Sequence, residues 1–180
     1  MKRIFLLMLI LLIVPNWCLA KYIYDDTGNI CFKTSNQWHL SSFGEDPLTY
    51  ELISISYDKD TFIKLSQSKY KMKYKNFNQV IDSEVSELQD SIIRFYIDLF
   101  KSKGCTFSIN KTDYHNNRIT VGASIKKNNW TIGKIIIITY IKNYVGYSLI
   151  GTCTDKSSHE FVKTLSSLKI NGEKIDAWMK

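Results

Sequence analysis

Hydrophobic residues recur along the chain at two different spacings, and each change of spacing marks the boundary of a predicted element. In residues 50–57, Ile53, Ile55 and Tyr57 alternate with polar residues, a period of two that is typical of a half-buried strand. A turn-forming Asp-Lys-Asp sequence follows, so this strand and the next are predicted to form a hairpin. On this basis, strands are predicted at residues 29–35, 38–40, 50–57 and 61–66.

The spacing changes to three or four residues from Phe77 onward. Apolar residues recur on one side as far as Leu99, with acidic residues between them, which predicts an amphipathic helix over residues 77–101. Asn76 suits the N-terminal capping position, and Gly104 suits the C-terminal stop. A second, shorter helix is predicted over residues 155–168.

Four strand-like runs lie between the two helices, at residues 105–114, 119–126, 130–141 and 144–152. Asparagine-rich turns separate the first three runs, and Asn tolerates the positive φ that tight hairpins need. Residues 135–138 are consecutive isoleucines, so their strand is expected to be central, with both faces covered. The order of elements predicts an α+β fold, in which an antiparallel β-sheet is covered by a long central helix and a C-terminal helix.

The first twenty residues have the three-part pattern of a secretory signal peptide. Lys2 and Arg3 precede an unbroken apolar run at residues 4–14, and the small residues Cys18 and Ala20 suit a cleavage site. The apolar run gives about 16 Å of helix, too short for a bilayer core of about 30 Å. We therefore expect cleavage after Ala20 and export to the periplasm or the exterior. The alternative is an uncleaved N-terminal anchor.

Length and composition fit one ordinary globular domain. The chain has 180 residues, a net charge of +7 and 44% hydrophobic residues, and no linker or repeat divides it. Loss of the first twenty residues would remove two basic residues and leave 160 residues with a charge of +5. We assign residues 1–20 to a signal peptide, 21–28 to an extended lead-in, 29–170 to a single α+β domain and 171–180 to a C-terminal tail.

Three cysteines remain in the predicted mature chain, namely Cys31, Cys105 and Cys153. An odd number of cysteines in an exported protein allows one disulfide and one free thiol, and the spacing does not identify the pair. The alternative is that all three are small unpaired side chains in apolar surroundings.

Three stretches of the sequence together form a recognisable pattern. Residues 31–38 give a strand, a polar turn and Trp38, and residues 77–100 give the long amphipathic helix. Residues 147–152 with 161–170 give a closing strand, a final helix and a short terminal strand. This pattern resembles the PsbP-like α/β/α sandwich family, in which Pro and Gly are common where this chain has Ser35 and Asn36. The resemblance implies a PsbP-like sandwich over most of residues 29–170. Because the family shares a shape and not an active site, the resemblance implies no particular activity.

The most distinctive segment of the predicted mature chain is the basic strip, residues 69–75, in which lysines alternate with Tyr70, Met72 and Tyr74. In an extended chain this alternation places all the lysines on one face. Such a face suits an anionic partner such as lipid headgroups or a cell-wall polymer, with the tyrosines packing at the interface. The alternative is a connector whose lysines prevent pairing with other strands. The candidate binding residues are Lys69, Tyr70, Lys71, Lys73, Tyr74 and Lys75.

The acidic residues of the adjacent predicted helix are placed to neutralise part of this basic strip. The remaining excess of charge is modest, so it favours an anionic surface over nucleic acid as the partner.

No sequence motif indicates a catalytic site, a metal site or a cofactor. The histidines lack zinc-site spacing, and neither a Gly-x-Ser-x-Gly motif nor a glycine-rich phosphate loop occurs. A site assembled in space would have to draw on His39, His115, His159, Cys105, Asp58, Asp60, Asp25 and Asp26.

We therefore expect an exported, non-enzymatic binding or accessory protein whose partner is another protein or an anionic envelope surface. The alternative is a peripheral envelope binder that uses the basic strip. A hydrolase with a spatially assembled site is the third hypothesis, from a different functional class. No cofactor is expected, and no transmembrane span is expected after cleavage.

Overall fold

The computed structural model describes residues 20–41, 47–115 and 118–174, except for the side chain of His115. The predicted signal peptide lies outside the described residues apart from Ala20, as does most of the predicted C-terminal tail. Neither α-helix in the described ranges combines the length and the apolar character needed to cross a bilayer.

Strands dominate the described part of the chain. They are β1 (Lys21–Tyr24), β2 (Ile30–Thr34), β3 (His39–Leu40), β4 (Thr49–Ser56), β5 (Phe62–Ser68), β6 (Thr106–His115), β7 (Arg118–Lys127), β8 (Trp130–Lys142), β9 (Val145–Cys153), β10 (Lys169–Ile170) and β11 (Glu173–Lys174). The helices are α1 (Asp82–Ser102) and α2 (Ser158–Leu165), and a 3-10 helix (Phe77–Gln79) precedes α1. The predicted α+β class, with antiparallel strands and two helices, is confirmed.

The strands form two antiparallel sheets, whereas the sequence predicts one. The large sheet has seven strands in the order β3-β4-β5-β9-β8-β7-β6, and the small sheet has four in the order β1-β2-β10-β11. The small sheet forms because the lead-in contributes β1, whose Ile23 pairs with Phe32 of β2. Strand β10 then joins from the far end of the chain, with Ile170 opposite Ile30. Pairing over this sequence distance leaves no local signal in the sequence.

Two hydrophobic cores lie on opposite faces of the large sheet. The first core joins the small sheet and α2 to the large sheet, and the second core lies on the side of α1. Strand β8 contributes Ile138 to the first core and Ile135 and Ile137 to the second, which confirms a central strand covered on both faces. Each fully buried side chain of this kind contributes about 1.5–3 kcal/mol. The largest fully buried apolar residues are Trp38, Phe32, Phe77, Ile55, Ile63, Leu65, Ile119, Leu149 and Leu168.

Helix α1 begins at Asp82 and not at the predicted position 77. The 3-10 helix and the extended residue Val80 (φ −73°, ψ 129°) occupy the intervening stretch. Phe77 and Val80 are nevertheless buried in the second core, so the apolar spacing continues across the break and hides it in the sequence.

The contact of α1 with the large sheet is at one edge. Its main contacts are with β6 and β7, and Val85 is its only buried residue. Beside the C-terminal half of α1, a cleft therefore opens toward strands β5, β8 and β9.

Candidate functional site

The basic strip, residues 69–75, is an irregular connector between β5 and the 3-10 helix, and not a strand. Its backbone is held to neighbouring segments. Lys69 N–H donates to the Leu48 carbonyl (3.0 Å), and Met72 N–H donates to the Tyr144 carbonyl (2.8 Å). Tyr144 N–H in turn donates to the Lys75 carbonyl (2.9 Å). The connector is thereby fixed against the turn between β8 and β9.

The predicted alternation is present in residues 71–75 although no strand forms, whereas Tyr70 is 70% exposed. Met72 and Tyr74 are half-buried against the second core, while all four lysines are exposed. The thioether of Met72 packs close to Gly146, where a Cβ would lie 3.1 Å from Met72 Sδ. Met72 and Tyr74 therefore anchor the connector, and the lysines face outward.

Three of the lysines lie over tyrosine rings. Nζ of Lys71 is 4.4 Å from the ring centroid of Tyr144, and Nζ of Lys69 is 5.2 Å from that of Tyr50. The third contact, 4.8 Å, joins Lys73 to its neighbour Tyr74. A cation–π contact at an exposed site is worth about 0.5–1 kcal/mol, so the rings restrain the ammonium groups. We define the lysine–tyrosine patch as Tyr50, Lys69, Tyr70, Lys71, Lys75 and Tyr144.

Tyr144 occupies the left-handed region of the backbone map. The two-residue turn between β8 and β9 has φ 53° at Asn143 and φ 66° at Tyr144. Asn adopts this conformation readily, whereas a bulky residue does so at a cost of about 1–2 kcal/mol. The two hydrogen bonds to the connector hold Tyr144 there, and its ring borders a depression of 250 Å³ with Lys69, Tyr70 and Lys71.

The predicted neutralisation of the strip occurs at one lysine. Lys73 Nζ donates to Glu84 Oε1 of α1 at 2.7 Å, and this hydrogen bond raises the pKa of Lys73 and lowers the pKa of Glu84. Among the described residues, none of Lys69, Lys71 and Lys75 forms an ion pair. Lys73 and Tyr74 are therefore engaged with the rest of the fold, and the accessible part of the predicted site is smaller than residues 69–75.

Two residues of the patch are not among those predicted. Tyr50 reaches it because β4 pairs with β5, with Tyr50 opposite Gln67, next to the start of the connector. Tyr144 reaches it through the β8–β9 turn. Neither position has a local sequence signal, since only the pairing of distant strands brings these rings to the lysines.

The cysteines of the predicted mature chain are free thiols, so the predicted alternative of one disulfide is not formed. Cys153 belongs to the first core, whereas Cys105 packs against the second core on the opposite side of the large sheet. Cys31 lies on β2 between the buried residues Ile30 and Phe32, so its side chain points away from the core. Burial raises the pKa of the Cys153 thiol.

The remaining polar candidates are distributed over the molecule. His39 is exposed on β3, with Nε2 at 2.9 Å from Ser56 Oγ, and His159 is exposed on α2. The Asp58 carboxylate accepts from Asp60 N–H (2.8 Å), and the Asp25 carboxylate accepts from Ile30 N–H (2.8 Å), both as part of turns. Across the described ranges, no three His, Cys, Asp or Glu side chains converge as metal ligands would.

Comparison with solved structures identifies a PsbP-like fold. The solution structure of cyanobacterial PsbP (CyanoP) from Synechocystis sp. PCC 6803 matches with a TM-score of 0.58 at 8% identity, over 87% of this chain and 96% of that chain. A crystal structure from Bacteroides thetaiotaomicron VPI-5482 has a TM-score of 0.44 at 8% identity, over 84% of this chain and 48% of that chain. No protein-family model and no curated protein matches the sequence. The predicted PsbP-like fold is confirmed, and at this identity the likeness extends to the fold alone.

Proposed function

We propose that the protein is an exported, non-enzymatic accessory protein that attaches to an anionic envelope surface through the lysine–tyrosine patch. The observation that carries the proposal is the placement of Lys69 and Lys71 over the rings of Tyr50 and Tyr144. Export is inferred from the signal-peptide pattern of the first twenty residues. The absence of catalysis is inferred from the lack of a catalytic motif in the sequence.

The chemistry of the patch suits an interface between water and anionic headgroups. Lysine side chains near such a surface contribute about 1 kcal/mol each through the negative surface potential. Tyrosine has an apolar ring and a polar hydroxyl. It is enriched at interfaces where the ring contacts apolar groups and the hydroxyl contacts water. Tyr70, which is 70% exposed, has no core to pack against and is available for such a contact.

The backbone of the patch is already in place before binding. Tyr144 is held at a positive φ by two hydrogen bonds, and Ser68 Oγ links the start of the connector to β9 by accepting from Gly146 N–H at 3.0 Å. A preorganised surface loses less conformational entropy on binding, so more of the interaction energy contributes to affinity. Strained backbone in an exposed turn is also found preferentially at functional positions.

Vesicle binding tests the proposal. We expect the protein to bind vesicles of mixed phosphatidylglycerol and phosphatidylcholine, to bind pure phosphatidylcholine much less, and to dissociate as salt is added. The variant K69S/K71S/K75S removes three charges and is expected to lose roughly a hundredfold in affinity. Sedimentation of the protein with vesicles measures both effects.

A control variant with the same net charge as K69S/K71S/K75S tests whether binding depends on the patch or on the overall positive charge of the protein. K33S/K127S/K169S removes three exposed lysines from other parts of the described surface and should bind nearly as well as the unaltered protein. E84Q removes the carboxylate that holds Lys73 and should increase affinity about fivefold. Equal losses in the two triple variants, or no loss in either, would contradict the proposal.

A further inference from the structure

A cleft of 620 Å³ opens between the C-terminal half of α1 and the large sheet. The helix forms one wall, and strands β8 and β9 form the floor, because α1 packs mainly on β6 and β7 and leaves this part of the sheet open. The apolar residues that carry the argument are Tyr96, Leu99 and Phe100 on the wall and Ile135 and Ile150 on the floor.

Lysines from four segments surround this apolar interior. Lys59 lies in the β4–β5 turn, Lys64 on β5, Lys103 just after α1 and Lys134 on β8. Among the described residues that line the cleft, Asp60 supplies the only carboxylate. The lining therefore combines an apolar floor with a net positive rim.

Two of the rim lysines are neutralised by neighbouring carboxylates. Lys64 Nζ lies 3.1 Å from Glu51, and Lys134 Nζ lies 2.8 Å from Asp155. Lys59 and Lys103 are exposed and form no ion pair with any described residue. Positive charge at the rim is thus concentrated at Lys59 and Lys103.

We propose that this cleft binds an amphipathic monoanion, with its alkyl chain on the isoleucine floor and its acid group between Lys59 and Lys103. The volume lies within the range of about 300–1,000 Å³ that is usual for small-molecule sites, which are mostly apolar with a few placed polar groups. The apolar floor disfavours a fully polar anion, since burying polar groups without partners costs free energy. The cationic rim disfavours an amphipathic cation.

Tyr96 of α1 is held in the wall of the cleft and lines its apolar interior. Its ring stacks on Phe107 at 6.0 Å between centroids, which fixes the wall on that side. This site is at the opposite ends of β5, β8 and β9 from the lysine–tyrosine patch, so it is independent of the proposed envelope attachment.

Displacement of a fluorescent fatty acid tests the proposal. The protein, purified without detergent, is titrated with 11-dansylaminoundecanoate, which is then displaced by dodecanoate, dodecanol or dodecyltrimethylammonium. The two ionic amphiphiles are kept below their micellar concentrations, and dodecanol is kept below its solubility limit. We expect saturable binding in which dodecanoate competes best, dodecanol less well and the cation least. Absence of saturable binding, or equal competition by all three amphiphiles, would overturn the proposal.

Alkylation of the cysteines locates the bound probe. Cys105 lines the cleft, whereas Cys31 lies outside it on the small sheet, and both are half-buried. Dodecanoate should slow the reaction of Cys105 with N-ethylmaleimide and leave Cys31 unchanged, as measured by peptide mass mapping. Protection of both residues, or of neither, would overturn the assignment to the cleft.

Rim and floor variants separate the two parts of the site. K59S/K103S should weaken dodecanoate at least fivefold with little effect on dodecanol, while K101S/K156S, with the same change in charge outside the cleft lining, should bind like the unaltered protein. I150W fills the floor and should weaken both ligands. K59S/K103S alters only exposed side chains, so it is expected to fold. Unchanged dodecanoate affinity in this variant would contradict the proposal, even if I150W does not fold.

Discussion

Gly151 on β9 lies against the ring of Phe161 from α2. A Cβ at this position would lie 2.6 and 2.7 Å from two ring carbons of Phe161 and 3.4 Å from Ile136 Cγ2. Both neighbours belong to or pack against the first core, so neither has free space to move into. The close approach of α2 to the large sheet therefore requires glycine here.

We expect G151A to destabilise the protein by about 1–3 kcal/mol, the usual cost of overpacking a core. Urea unfolding followed by circular dichroism measures the change. G122A on β7 is the matched control, because its Cβ would meet only the Lys111 carbonyl at an ordinary 3.8 Å. A loss of stability in G122A equal to that in G151A would show that the Phe161 contact is not the cause.

Single residues show how far the sequence predicts the candidate site. The lysines of the strip are evident from the sequence, and their outward orientation follows from the alternation with Met72 and Tyr74. The rings of Tyr50 and Tyr144 are not predictable, because strand pairing and a turn bring them to the lysines from distant positions. The sequence predicts that acidic residues of the adjacent helix neutralise part of the strip, but it does not identify the specific pair of Lys73 and Glu84.

The β8–β9 hairpin contrasts with the β7–β8 hairpin at the other end of β8. Both have two-residue turns with positive φ. The second turn residue is Asn129 (φ 66°) in the β7–β8 hairpin and Tyr144 (φ 66°) in the β8–β9 hairpin. Asn129 fits the conformation, as the sequence predicts for asparagine-rich turns, whereas Tyr144 is strained. A bulky residue in a strained turn makes Tyr144 a candidate for a role in binding.

We expect Y144G to raise the free energy of unfolding by about 1 kcal/mol, since it creates the Asn-Gly turn that tight hairpins favour. The same variant should weaken binding to phosphatidylglycerol vesicles, because the ring over Lys71 is lost. N129G is the control and should change both quantities less. If Y144G lowers stability and leaves binding unchanged, the tyrosine serves the fold and not the patch.

Whole elements were predicted best where their contacts are local. The predicted strand at 130–141 corresponds to β8 (Trp130–Lys142), and the predicted hairpin of 50–57 with 61–66 corresponds to β4 and β5. The break before α1 was missed because Phe77 and Val80 keep helical spacing while packing in the second core. The small sheet was missed because its strands come from both ends of the domain.

Across the whole molecule, the two candidate sites lie at opposite ends of the strands. The patch is beside Ser68 and Val145, at the end of β5 and the start of β9, whereas the cleft is beside Phe62 and Cys153 at their other ends. Nine residues of strand β9 span roughly 30 Å at about 3.4 Å per residue. A protein attached to a surface through the patch would therefore hold its cleft away from that surface.

A further exposed apolar group lies at the cleft end of the molecule. Trp130 is 78% exposed and Ile132 is 48% exposed, both at the start of β8. Insertion of these side chains into a membrane would orient the molecule the opposite way. The end of the molecule that contacts a vesicle therefore shows whether the lysine–tyrosine patch or this apolar group mediates binding.

Amide hydrogen exchange, measured with and without vesicles that contain phosphatidylglycerol, identifies the end of the molecule that is in contact. We predict slower exchange in residues 69–75 and at the β8–β9 turn, Asn143 and Tyr144, with little change elsewhere. Slower exchange around Trp130 and Ile132 without a change in residues 69–75 would contradict attachment through the lysine–tyrosine patch, as would unchanged exchange in a protein that sediments with the vesicles.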